Sequence, residues 1–417
     1  MSLVGVIELY LTVVVLFWGS LLSILFSYVG YPMLVGVLAR MIGTDSHWGT
    51  ELSAAPSFDR LPEITVLIVA YNAEQHLDER IANILACEYP RERLRIVVAS
   101  DGSTDGTVSC VQRIDHAQIR VFDCQERRGK AATLIDAVNQ LSSPVVVFTD
   151  ATSRFKVDSL RRLTRHFEEP SVGVVAGKVK MVDGDGRPSE SVYWKVEMKV
   201  RQWEARLGIS LGASGAIYAV RRPMFVAPTR PVINDDLVIP MMASLTHRCG
   251  VVFDETALAY ASNPGGRKRE FERRRRIGVG AIQCLNAIWG SFRWRNRASI
   301  LAFLPHKLLR WLSPFLLLAV LIGNVALMSE DLYRNLLLVQ LLAYTLAGYG
   351  CFAKSSSPIA QVARTATSFV LMNAALAAGI CRWFANPHQV IWEPTTRPNW
   401  SAIANQASEV PSPKRAA

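Results

Sequence analysis

Cysteine is scarce in this chain and is nowhere arranged to act in concert. Seven thiols are scattered over 417 residues, at positions 87, 110, 124, 249, 284, 351 and 381. The number is odd and no Cys-x-x-Cys pair occurs, which argues against a structural zinc site and for a reducing compartment. Glycine-rich nucleotide signatures are missing as well. No Gly-x-Gly-x-x-Gly joins a strand to a helix, and no Gly-x-x-x-x-Gly-Lys-Ser/Thr occurs, so a dinucleotide dehydrogenase and a P-loop ATPase are both poor readings. There is no internal repeat. Acidic residues are in deficit, 35 against 46 Lys and Arg, for a net charge of +11. Such a surplus can signal nucleic acid, but the aromatic and basic stacking surface that binding would use is not evident. Beside long apolar runs, Lys and Arg reflect cytoplasmic retention and contact with anionic lipid, and no nucleic-acid partner is expected.

What the chain has in quantity is apolar sequence, half of all residues, concentrated at its two ends. The run Leu9 to Ala39 exceeds the roughly twenty residues that span a bilayer. It lacks the small-residue cleavage site of a signal peptide and reads as a retained transmembrane anchor over 1–42. Three further runs, Trp311 to Met328, Asn335 to Phe352 and Ser368 to Phe384, predict a C-terminal membrane region of about three helices over 311–391. The amphipathic stretch Ala298 to Arg310 predicts an interfacial helix (298–310) on the cytoplasmic surface. One crossing before the central domain and three after it put both termini on the side opposite that domain. Residues 392–417 end in a tail expected to be disordered.

Between 60 and 297 the pattern becomes that of a soluble α/β domain. Ile64 to Ala70, Leu94 to Ser100, Ile119 to Asp123 and Val145 to Asp150 are short β-branched runs suited to strands buried on both faces of a mostly parallel sheet. Helical stretches, Ala73 to Ala86 and Gly129 to Leu141, alternate with them. Ligands of such sheets lie where strands deliver their carboxyl ends. Three of these ends are polar: Tyr71-Asn72-Ala73-Glu74, Asp101-Gly102-Ser103-Thr104-Asp105 and Asp150-Ala151-Thr152. A carboxylate at a strand tip accepts hydrogen bonds from a base or ribose, and a second holds a divalent cation between phosphates. Lys130, opening a helix after Gly129, meets phosphate charge together with the positive helix end.

These segments, with Gly212 to Arg222 (GASGAIYAVRR) and the order in which they follow, resemble the inverting family 2 glycosyltransferases of GT-A fold. The similar subset is the membrane-embedded one that includes cellulose, chitin and hyaluronan synthases. The resemblance implies a Rossmann-like GT-A cytosolic domain flanked by transmembrane helices, at the inner membrane and multi-pass. It also implies a nucleoside-diphosphate sugar donor, usually a UDP-sugar, and Mg2+ or Mn2+. The acceptor is a growing polysaccharide, or a lipid-linked acceptor in a non-processive relative; membrane lipids surround the helices.

The resemblance also implies roles. Ala70, Tyr71 and Glu74 surround the base and Asp101 meets uracil or ribose. Lys130, Asp150 and Thr152 serve the diphosphate, with Asp150 the metal ligand. The family's Asp-x-Asp here lacks its second carboxylate, replaced by Thr152. Asp236, second acid of the pair in INDDLVIP, is the general base, with a helix N-cap as its alternative role. Ser214, Gly215 and Asp235 line the acceptor site. Arg273 and Arg276 match the spacing of the motif that binds the leaving diphosphate, although Ile277 stands where that motif has Trp. Trp392, Thr395 and Arg397 match a gating element, which belongs on the cytosolic side and so conflicts with the helix count above.

Overall fold

The computed structural model describes residues 2–43, 60–183, 187–230, 232–262, 266–292, 297–355 and 357–387. The chain divides into two compact units. One comprises Met1–Val35, Gly266–Ile282 and Ile300–His388, and the other is built on Gly36–Gly265 and Gln283–Ser299. The basic run beginning at Arg267 therefore belongs with the apolar helices and not with the central domain expected over 60–297.

In the helical unit the first helix, Leu3–Leu25, runs through a single π turn, Phe26–Gly30, into Tyr31–Met41. Among the described residues three helices are long and apolar enough to cross a membrane: Val4–Met41, Ala298–Ala326 and Pro358–Ala385. The sequence reading counted four. The helix Asp331–Gly350 carries Arg334, Asn335 and Gln340 and is not among them. The stretch expected as a separate interfacial helix is continuous, through the π turn Leu304–Leu308, with Leu309–Ala326. Outward positions such as Val15, Leu22, Leu318 and Leu342 are apolar and exposed, a surface suited to lipid. Inward, Phe17 meets Tyr333 edge-on with ring centroids 5.1 Å apart. A Cβ on Gly379 would lie 2.0 Å from the carbonyl oxygen of Arg275, so only glycine permits that crossing of helices.

The second unit holds one eight-stranded sheet of order β3-β2-β1-β4-β7-β6-β8-β5. Its strands are β1 (Ile64–Ala70), β2 (Leu94–Asp101), β3 (Ile119–Cys124), β4 (Val145–Asp150), β5 (Ser153–Phe155), β6 (Val172–Val182), β7 (Tyr218–Arg221) and β8 (Gly250–Ser262). The first four pair in parallel, as their apolar runs predict. β1 shows why such runs are unbroken: Ile64, Val66 and Ile68 enter one core with Leu77, Ile81 and Ile84 of the helix Glu74–Leu85. Leu67 and Val69 enter the other core with Leu134, Ala137 and Val138 of the helix Lys130–Asn139. Alternate side chains face opposite cores, and the one polar side chain of β1, Thr65, is buried with a hydrogen-bond partner, Ser143 Oγ at 2.8 Å. β7 runs antiparallel to both β4 and β6. Its leading loop, 212–217, therefore arrives beside the carboxyl end of β4.

Candidate active site

Register places the strand-tip acids on one edge. Ala70 pairs with Ser100, one residue before Asp101, and Val69 pairs with Asp150. Since β1 lies between β2 and β4, the backbones carrying the two acids stand about 10 Å apart, two strand spacings. Both therefore border the carboxyl end of β1, where a nucleotide-sized ligand would lie.

Asp101 has a definite employment in this structure. Its carboxylate accepts hydrogen bonds from Arg128 N (2.8 Å), Gly129 N (3.0 Å) and Thr133 Oγ1 (2.9 Å), and the residue is buried. Gly129 reaches this position with φ of 94°, which disfavours any residue with a Cβ. The expectation for Asp101 was a direct contact with base or ribose. In this structure the carboxylate anchors the loop that delivers Lys130. Gly102 (φ 64°) closes the same turn, where a Cβ would stand 2.6 Å from Arg127 N.

Glu74 is likewise engaged, accepting from Gly106 N (3.0 Å), while its own N–H donates to Asp105 Oδ2 (3.2 Å). Asn72 accepts from Thr104 N (2.8 Å). These bonds bind the loops after β1 and β2 into one rim that follows from Ala70. Tyr71 lies on that rim, half-buried, with the Arg127 guanidinium 3.7 Å from its ring centroid. Arg127 and Thr133 escaped sequence reading, because an Arg before a glycine turn and a Thr within a helix carry no distinctive pattern.

The charged centre lies at the end of β4. Lys130 Nζ is 3.1 Å from Asp150 Oδ1 and 3.5 Å from Asp235 Oδ2. Burial opposes its charge, but Asp150, Asp235 and Asp236 together hold the Lys130 ammonium above its ordinary pKa. A Cβ on Gly215 would meet Lys130 Nζ at 3.3 Å and Asp150 Oδ1 at 3.7 Å, so the bare backbone of this loop forms the wall beside them. Ser214, half-buried, adjoins it, its carbonyl taking Ile217 N at 3.0 Å. Thr152 sits half-buried in the turn between β4 and β5.

Asp235 and Asp236 open the helix Asp235–His247, whose N-cap is Asn234. Asp236 is thus not the cap residue. Its Oδ2 accepts Gly215 N at 3.0 Å, and its side chain is half-exposed. Asp235 is buried, and burial raises its pKa to about 6, with Lys130 opposing and Asp236 and Asp150 adding to the rise. Its Oδ2 has no hydrogen bond of good geometry despite the nearby ammonium; the 3.5 Å approach is an ion pair only.

The resemblance in sequence implies a divalent cation. Among the described residues no three His, Cys, Asp or Glu side chains converge to cage one unaided. The carboxylates nevertheless suit it: Asp150 is partly open and an orphaned carboxylate oxygen of Asp235 is nearby, a place the Lys130 ammonium takes in this structure. Carboxylate oxygens with vacancies left for a diphosphate match how hard cations bind nucleotides.

Arg273 and Arg276 lie on the helix Arg267–Ile288, within its part that belongs to the helical unit. There Arg273 donates to Glu270 through Nε and Nη2, both at 2.8 Å. Trp392, Thr395 and Arg397 fall outside the described residues.

Residues 65–226 match the family model described as Glycosyl transferase family 2. The chain carries a family 2 glycosyltransferase domain. The chain is 30% identical over 141 residues to poly-beta-1,6-N-acetyl-D-glucosamine synthase of Staphylococcus aureus (strain COL), covering 33% of this chain and 32% of that protein. The Staphylococcus epidermidis synthase of the same name is 25% identical over 136 residues, 32% of this chain and 31% of that protein. The chain thus spans about a third of the length of the curated relatives it matches. The mannosyltransferase PcManGT from Pyrobaculum calidifontis, solved with GDP-Man and Mn2+, superposes with a TM-score of 0.66. That match covers 88% of this chain and 98% of that one at 20% identity. The likeness establishes the GT-A fold of the domain, as the resemblance in sequence implied.

Proposed function

We propose that the chain is an inverting glycosyltransferase that moves a sugar from a nucleoside-diphosphate sugar to a growing polysaccharide at the membrane. The observation that carries the reading is the meeting of Lys130, Asp150, Asp235 and Asp236 against the bare Gly215 loop, at the edge where the family 2 domain's strands end. The nucleoside lies along the rim of Ala70, Tyr71 and Glu74, and the loop held by Asp101 brings Lys130 to the diphosphate. Asp150 and Asp235 hold a divalent cation, Mg2+ or Mn2+, which neutralises the diphosphate when bound. Asp236, with Oδ2 tied to Gly215, uses Oδ1 to take the acceptor hydroxyl's proton while that oxygen attacks the anomeric carbon from the face opposite the leaving group. Ser214 and Gly215 face the acceptor. Arg273 and Arg276 serve the leaving diphosphate, and Trp392, Thr395 and Arg397 gate the nucleotide. The three long apolar helices among the described residues support a membrane protein; a multi-pass inner-membrane placement with the catalytic domain in the cytosol, and passage of the product outward, follow from the resemblance to the membrane-embedded synthases.

Ile277, where the processive synthases carry Trp, favours a second reading: addition of a single sugar to a lipid-linked acceptor. Purified full-length chain, given labelled UDP-sugars with UDP-N-acetylglucosamine first, tests both readings. Release of UDP with a ladder of products supports the polymerase, and one discrete product supports the single transfer. Absence of nucleotide release with every UDP- and GDP-sugar overturns the proposal.

A further inference from the structure

Arg80 sits on the helix Glu74–Leu85, behind the strand that ends in Asp150, and none of it reaches solvent. Nη2 donates to Thr149 Oγ1 at 2.7 Å and Nη1 to Asn83 Oδ1 at 2.5 Å. The guanidinium carbon lies 4.1 Å from the Phe155 ring centroid, and Nε has no hydrogen-bond partner among the described residues. Burial and the neighbouring Arg154 lower its pKa to about 9, against the pull of Asp150, so it remains a cation at neutral pH. A wholly buried cation is expensive, and simple packing there would be served as well by Leu or Met.

The hydrogen-bond inventory shows what the cation does. A threonine hydroxyl has one proton, and because Arg80 donates to Thr149 Oγ1, that proton is free to go elsewhere. The carbonyl oxygen of Ala216 lies 2.7 Å from Thr149 Oγ1, and Ser153 Oγ stands 2.9 Å away on the other side. Ala216 follows Gly215 in the loop before β7, and Gly215 N is the donor to Asp236 Oδ2 at 3.0 Å. Every member of this chain of contacts is buried or half-buried, and all lie in the same unit.

We infer that Arg80 is a positioning residue for sugar transfer: acting through Thr149, it fixes the 212–216 loop whose Gly215 N–H orients Asp236. The inference rests on the proposed transferase reading, in which Asp236 is the base. Arg80 touches neither substrate nor reacting atoms, so its loss should spare nucleotide binding and tell on turnover.

The test uses detergent-solubilised full-length chain and the variants Thr149→Val, Thr149→Ser, Arg80→Met and Arg80→Met with Thr149→Val. Three quantities are read: amide hydrogen exchange of peptides spanning 211–218, the Kd for UDP, and kcat and KM for transfer. Thr149→Val keeps the shape and removes the hydroxyl. Exchange in the loop should rise about tenfold or more, because local opening becomes easier. Turnover should fall roughly ten- to a hundredfold, as for a small misplacement of a catalytic group, with UDP Kd and donor KM within about threefold of the parent. Thr149→Ser should restore both readouts, and the double variant should be no worse than the worse single one. Folded Thr149→Val with parental exchange and turnover overturns the inference, as does a loss that falls equally on UDP binding, or additive effects in the double variant. If Arg80→Met does not fold, the two Thr149 variants decide alone. If the parent chain transfers no sugar, the transferase reading fails, while the exchange data still decide whether Arg80 and Thr149 hold the loop.

Discussion

Lys130 reaches across the sheet edge to place its ammonium 3.1 Å from Asp150 Oδ1, on the carboxylate expected to hold a divalent cation. Two cations cannot share that oxygen at such separations without strong repulsion. The lysine must therefore leave Asp150 before a metal binds there, and a diphosphate is what would draw it away. Lys130→Met removes the competitor. Its affinity for Mn2+ in the absence of nucleotide should rise on the order of tenfold, about 1.4 kcal/mol, while UDP binding weakens. Paramagnetic resonance of free Mn2+ during a titration measures the first effect. Unchanged Mn2+ affinity would mean that the ammonium does not guard the site.

The Asp101 carboxylate separates a direct ligand contact from a structural one. Asp101→Asn keeps the size and an oxygen for Arg128 N and Thr133 Oγ1, but removes the charge and puts an amide N–H2 in place of Oδ2, against Gly129 N. Lost charge-assisted hydrogen bonds at a buried site cost on the order of 3 kcal/mol. Thermal stability and UDP affinity should therefore fall together, and Thr133→Val, which removes one donor, should show a smaller fall in both. A loss of UDP affinity at parental melting temperature would restore the direct contact with base or ribose.

A pH effect on stability should arise at Asp254 on β8. Its carboxylate accepts from His166 Nε2 at 2.8 Å and Arg165 Nη2 at 3.0 Å. Burial pushes its pKa upward, but His166, Arg165 and Thr256 prevail and hold it at about 2. The folded value lies below the ordinary one. The stabilisation is therefore fully present above about pH 4 and drains away as the pH falls toward 2, on the order of 2 kcal/mol in all. Asp254→Asn should destabilise at neutral pH by at least that amount and flatten the stability profile between pH 4 and 2. Thermal melts of parent and variant over that range check it. Parallel profiles would show that Asp254 is not the titrating group.

The legible part of this protein was the part whose pattern is local. Four parallel strands announce themselves by β-branched runs, and because parallel strands share one carboxyl edge, Asp101 and Asp150 could be placed together without coordinates. The antiparallel portion was harder. β5 has three residues, and β6 is interrupted by irregular pairing at Gly177 and Lys178, so neither offers a clean period. Two of Asp101's partners are invisible in sequence because they are backbone N–H groups, of Arg128 and of Gly129, whose φ is positive. Arg80 is different, for a signal was there. It falls on the stripe of Leu77, Ile81 and Ile84, where an arginine breaks the apolar face of a helix and calls for a buried partner. The helix ends were also blurred, since continuous helix through π turns joins segments that composition divides.

The reading as an enzyme turns finally on Asp236. It stands second in its helix, after Asn234 at the cap and the buried Asp235, and Gly215 N fixes one of its carboxylate oxygens at 3.0 Å. That contact orients the group and leaves Oδ1 for a proton. Asp236→Asn preserves the side-chain shape and an oxygen to receive Gly215 N–H, yet the amide cannot accept the acceptor's proton. Loss of a general base costs on the order of a hundred- to ten-thousandfold in rate. The variant should therefore express, insert and bind UDP like the parent while transferring sugar that much more slowly. Asp235→Asn should act differently: with its pKa raised to about 6 and Lys130 at 3.5 Å, its change should disturb metal and diphosphate binding first and the transfer step less. Rapid-quench measurement of a single turnover, with UDP affinity measured alongside, separates the two. Near-parental transfer by Asp236→Asn would remove Asp236 from the chemistry and leave it as a brace for the Gly215 loop.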